Sequence, residues 1–126
     1  MDFKRYVNLS YALMNRKAHR CFHTSFVVRK GKVLAIGINQ IKTHPKIKQY
    51  GYHALCGLHS ELDAALKLGF TDCSDLILIN IRIDGKGQLN MSKPCQFCQK
   101  LIKQLNFKSV FYSGPDGKFH PYYQSI

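Results

Sequence analysis

Apolar residues recur along the chain with two different periods, and the changes of period mark out its elements. Phe3, Tyr6, Val7, Leu13 and Met14 return at helical spacing, which predicts a first helix from Phe3 to about Lys17. "SFVVRKGKVLAIGIN" is two β-branched runs around Arg29-Lys30-Gly31-Lys32 and predicts a hairpin. A long polar stretch follows, "QIKTHPKIKQYGYHALCG", too long for a plain connection and so a candidate for function. In "LHSELDAALKLG", residues 58 to 69, Leu58, Leu62, Ala65 and Leu66 form one apolar face, and Gly69 is the expected stop. "LILINIRI", residues 76 to 83, is apolar almost throughout, as a strand covered on both faces would be. Asp84 to Gly87 turns the chain, and a third helix after Pro94 runs to about Leu105. "SVFYS" and "FHPYY" are strands around the turn "GPDGK", with Pro121 expected at an edge or a strand start. The order α-β-β-α-β-α-β-β gives a single sheet with helices packed on it.

Size adds one constraint. At 126 residues, with 45% hydrophobic and 12% aromatic side chains, residues 1–126 are expected to form one domain around a real core. No run approaches the roughly 18 apolar residues of a membrane span, and "MDFKRYVNLS" lacks a signal-peptide apolar region. The five cysteines are odd in number, and two stand as C-x-x-C, which points to a reduced compartment. A cytoplasmic protein with no membrane partner is the expectation. Charge changes the picture more: 19 Lys and Arg against 7 Asp and Glu leave a formal +12. A partner made of phosphates would exploit that excess, although a basic surface also serves solubility alone.

Two helix starts carry metal-ligating residues. His59 opens the second helix, and Cys95 and Cys98 open the third, three positions apart and so on one face of a first turn. The positive end of a helix lowers thiol pKa and favours thiolate. One nitrogen and two sulfurs suit a single Zn²⁺ per chain, with the fourth tetrahedral position left for water. Bound water of this kind ionises near neutrality, and Glu61 is placed to take its proton without being a ligand. Other readings stay open at this point. His59 and Glu61 also fit an ordinary helix start, and Cys95 and Cys98 fit a redox pair. Cys56-Gly57-Leu58-His59 is itself a C-x-x-H, so Cys56 closing a four-ligand structural zinc is a further reading, one that leaves Glu61 and Pro94 unexplained. Cys21 and Cys73 read as small core residues, as does Phe97 between the two zinc cysteines.

His59-Ser60-Glu61 with Pro94-Cys95-Gln96-Phe97-Cys98 is the H-x-E…P-C-x-x-C pattern of zinc deaminases. With this motif and the order of elements around it, the chain resembles the cytidine deaminase superfamily over nearly its whole length. Ser60 departs from the usual His-Ala-Glu, a small change. The resemblance implies a three-layer α-β-α fold on a single mixed sheet of about five strands, ending in an antiparallel hairpin. It implies that His59, Cys95 and Cys98 bind zinc and that Glu61 shuttles protons while water displaces ammonia from the base. Asn39, where related deaminases place a sugar-binding asparagine, is an expected substrate contact, together with His44, Ser60 and Pro94.

"GPDGK" is too short for a crossover, so the last strands should pair as a hairpin. That ending resembles free-cytidine deaminases and some bacterial toxin deaminases, and it favours cytosine as the base. The charge, with Lys42, Lys46 and Lys48 in the long loop and Lys93 beside the cysteines, leans toward single-stranded DNA or RNA. Free cytidine, deoxycytidine or a nucleotide is the alternative, and such enzymes are usually oligomers. Beyond these stand a structural-zinc nucleic-acid-binding module and a deaminase fold without activity.

Overall fold

The computed structural model describes residues 2–14, 22–40, 58–69 and 71–124. Helix α1 is Lys4–Leu13, and strands β1 (Phe22–Arg29) and β2 (Lys32–Ile38) follow it. Then come α2 (Ser60–Leu68), β3 (Ile77–Ile83), β4 (Leu89–Asn90), α3 (Gln96–Leu105), β5 (Ser109–Ser113) and β6 (Phe119–Gln124). The sheet order is β2-β1-β3-β5-β6, with β4 paired to β3 off this path. Among the described strands only β3 and β5 run parallel, joined through α3, so the sheet is mixed.

Two hydrophobic cores explain the three layers. On one face Val27, Leu78 and Val110 pack with Leu62 of α2 and Leu101, Ile102 and Leu105 of α3. On the other, Phe26, Val28, Ile79, Ile81 and Ile83 pack with Tyr6 of α1. Strand β3 therefore buries both faces, which is why its sequence reads as a continuous apolar run. Leu62 and Ile79, both at 0% exposure, each contribute about 1.5–3 kcal/mol of burial.

The hairpin expected at the start of the sheet is present, with Lys30 and Gly31 both at positive φ between Arg29 and the paired Lys32. The closing hairpin is also antiparallel, and Pro121 sits on edge strand β6. One expectation needs correction. The first helix ends at Leu13, short of Lys17, because Met14 is extended at ψ 122°. Its buried residues are Tyr6 and Ser10, Leu13 is exposed, and Met14 packs against the core from an extended backbone. The single mixed sheet of about five strands is present, with six strands among the described residues. The extra one, Leu89–Asn90, is too short to show an alternation in sequence.

Helix α2 is pinned to β2 at its first turn. The Ile38 N–H donates to Asp63 Oδ2 at 2.9 Å, and the Lys67 ammonium lies 3.1 Å from the same oxygen. A Cβ on Gly37 would lie 1.9 Å from the Ser60 carbonyl oxygen, so the close approach of strand and helix requires glycine there. Gly69, left-handed at φ 82°, ends the helix as expected. Among the described residues, no helix is long and apolar enough to cross a membrane.

Candidate active site

His59 and Cys95 occupy the same structural position, each the N-cap of its helix with an extended backbone. Neither side chain caps its own helix. Because α2 and α3 lie on the same face of the sheet, their starts converge. His59 Nδ1 is 3.6 Å from Cys95 Sγ and 3.6 Å from Cys98 Sγ, and the three donor atoms all lie within 4.8 Å of one another. A tetrahedral zinc with bonds of about 2.3 Å to sulfur and about 2.05 Å to nitrogen separates sulfur from nitrogen by about 3.6 Å. The donor set fits that ion in both chemistry and spacing. Cys98 is buried and Cys95 is exposed, so the trio opens to solvent on one side.

The local field favours the thiolate that a metal would need. The Cys95 thiol is pulled down to about 4, chiefly by its hydrogen bond with the Cys98 side chain and then by the His59 ring. The Cys95 thiolate in turn raises the His59 pKa. The two helix N-termini act in the same direction on the sulfurs.

Glu61 lies one residue into α2 from Ser60, and both of its carboxylate oxygens are held. Asn80 Nδ2 donates to Glu61 Oε2 at 3.0 Å, and Ser60 Oγ lies 3.2 Å from Oε1. Ser60 Oγ is 2.8 Å from Ser25 Oγ, which donates to Asn80 Oδ1 at 2.8 Å. The four side chains thus form a closed ring around the carboxylate. Burial, the largest influence on Glu61, raises its pKa, and the Ser60 hydroxyl that donates to Oε1 acts in the opposite direction. Asn80 is anchored further by Ser92, whose Oγ donates to the Asn80 carbonyl at 2.9 Å.

Two adjoining clefts of about 190 and 130 Å³ meet here and share His23, His59, Ser60 and Glu61. Asn39 and Gln40 line the first, and Asn80, Ser92, Lys93 and Cys95 the second. Asn39 Oδ1 accepts the His23 N–H at 2.9 Å, which leaves its amide nitrogen as the group it can offer a ligand. Lys93 is exposed on the rim, whereas Pro94 is buried and its carbonyl accepts from Gln99 Nε2 at 2.9 Å. Backbone hydrogen bonds between Gln40 and Leu58 bring the ends of segment 41–57 together beside His59. His44, Lys42, Lys46, Lys48 and Cys56 fall in that segment, outside the described residues, as does Cys21. A separate cavity of about 490 Å³ lies along α3 between Lys100, Lys103 and Tyr123 and is lined by none of His59, Cys95 and Cys98.

Sequence reasoning missed Asn80, Ser25 and His23. Asn80 carried a signal, as the one amide in an apolar strand, since a buried amide must be partnered. Ser25 and His23 carried none that separates them from ordinary strand residues. His23 is half-buried, and its pKa falls to about 4, first through burial and then through Arg82 and His59. It is therefore a neutral ring at the cleft near pH 7.

No protein-family model and no curated protein matches the chain. Solved structures do. The cytidine deaminase of Burkholderia pseudomallei superposes with a TM-score of 0.62 at 17% identity, covering 96% of this chain and 91% of that one. The cytidine deaminase of Mycobacterium leprae gives 0.53 at 18% identity, over 94% and 87%. The dCMP deaminase of cyanophage S-TIM5, in complex with dCMP and dUMP, gives 0.54 at 22% identity, over 86% and 78%. At these identities the likeness establishes the fold, which is the cytidine deaminase-like one.

Proposed function

We propose that this protein is a zinc-dependent hydrolytic deaminase that converts a cytosine base to uracil and releases ammonia. The observation that carries this reading is the convergence of His59, Cys95 and Cys98 at zinc-ligand spacing in a cleft shared with the anchored carboxylate of Glu61. When bound by these three residues, zinc would supply a water that ionises near neutral pH. Glu61 would accept the water's first proton and pass it to the ring nitrogen of the base, then carry the second proton from the added hydroxyl to the departing amine. Water's oxygen then stays on the ring carbon, and the amine leaves as ammonia. Asn39 and His23 line the cleft around the base, Ser60 lines it with its hydroxyl taken up by Ser25 and Glu61, and His44 and Pro94 complete the expected substrate contacts.

For the form of the substrate we infer a single-stranded nucleic acid. Support comes from the formal charge of +12 and from Lys93 on the rim of the cleft, with Lys42, Lys46 and Lys48 in the segment that begins and ends beside it. A second reading, a free nucleoside or nucleotide, is favoured by the small volume of the two clefts and by the activities of the structural neighbours. Supplying the protein with single-stranded oligonucleotides, dCMP, cytidine and deoxycytidine separates the two. We expect uracil in the oligonucleotides, whereas deamination of the monomers alone would sink the polynucleotide reading. One zinc per chain in a single domain spanning residues 1–126 completes the proposal.

A further inference from the structure

We propose that Ser60 and Ser25, acting with Asn80, are positioning residues that fix the orientation of the Glu61 carboxylate. The inference rests on the deaminase reading above for what Glu61 does, and on the ring for how it is held. Ser25, Ser60 and Asn80 are 0%, 3% and 2% exposed, so solvent does not compete for their polar atoms. Three elements contribute: Ser25 from β1, Asn80 from β3 and Ser60 from the first turn of α2. Each polar side chain in the ring touches two others, at separations from 2.8 to 3.2 Å.

A carboxylate on a long side chain has three torsions to fix before it faces one point in a cleft. Here Asn80 holds Oε2 and Ser60 holds Oε1, so rotation about the last torsion would break two contacts at once. Each carboxylate oxygen keeps a second lone pair for reacting groups. Ser25 bridges Ser60 to Asn80 and so ties the helix to the sheet at the carboxylate. Ser60 stands where the usual tripeptide has alanine, which cannot make either contact. The ring is therefore a feature of this chain, beyond the motif itself.

The test uses the full chain with Ser60→Ala, Ser25→Ala and the double variant. In zinc-loaded protein each single variant should lower kcat about tenfold while KM stays within about twofold and zinc content is unchanged. The double variant should lose little more than either single one, because both break the same ring. In metal-free protein, denaturation midpoints of the same variants should be non-additive, a readout independent of activity. Wild-type kcat in Ser60→Ala, a loss matched by zinc loss or carried mainly by KM, or strictly additive midpoints would overturn the inference. If the zinc-loaded wild type deaminates no cytosine substrate, the deaminase reading fails instead. The metal-free midpoints then decide whether the ring couples these residues.

Discussion

Glu61→Gln keeps the shape of the side chain and removes its capacity to carry a proton. Turnover should fall about 10²–10⁴-fold while zinc stays bound, because Glu61 is not among the metal's donor atoms. Retained turnover would transfer the proton-handling role to another group, and loss of zinc would make Glu61 part of the metal's support. A second prediction concerns His23. Its pKa is about 4 in the fold against an unfolded value of 6.5, so between these the unfolded chain binds a proton that the native chain does not. Stability should hold above pH 6.5 and fall as pH drops toward 4, with a slope approaching about 1.4 kcal/mol per pH unit. Denaturation midpoints across that range should steepen for wild type and flatten in His23→Gln. That His59, Cys95 and Cys98 come together was legible in the sequence, because a group that could hold a metal needs particular atoms at particular spacings. Asn80 and Ser25 were not, because hydroxyl and amide partners are chosen by register across β1 and β3, which local sequence does not fix.

At the scale of elements, the site depends on how closely α2 lies on β2. Gly37→Ala would drive a methyl group into the Ser60 carbonyl and the Ala64 backbone nitrogen, neither of which can move without moving the helix. It should cost at least about 1–3 kcal/mol of stability and lower zinc content, measured by thermal denaturation and elemental analysis. Gly31→Asn is the matching control. It sits in the β1–β2 turn with open space around it, at a positive φ that asparagine tolerates, and should leave zinc content intact. A Gly37→Ala protein with normal stability and zinc would show that α2 slides freely on the sheet. The elements themselves were largely legible: the first hairpin from its turn, β3 from its unbroken apolar run, and α2 from its face and Gly69. Strand β4 was not, since two residues carry no period. The end of α1 was misjudged because Leu13 keeps helical spacing yet is exposed, and Met14, which packs against the core, is already extended.

For the whole molecule, charge bears on partners more than on fold, and its consequence is measurable. If single strands are the substrate, their affinity should fall steeply between 50 and 200 mM salt, by about a factor of 10 or more. Lys93→Ala, on the cleft rim, should reduce the log–log salt slope by about 1. Fluorescence anisotropy with a labelled oligonucleotide reads both, and affinity independent of salt would remove the phosphate contacts from the account. The three-layer fold was legible from the order of elements, since a central strand covered on both faces needs helices on each side. The substrate's form was not, because net charge and surface lysines such as Lys93 name no ligand by themselves. The central claim is an open zinc site, and the sulfur count around the metal tests it most directly. X-ray absorption at the zinc edge on reduced protein, with one zinc per chain, should show two sulfurs at about 2.3 Å and two lighter atoms at about 2.0 Å. Three sulfurs, with Cys56 closing the site, or no bound zinc at all, would contradict it.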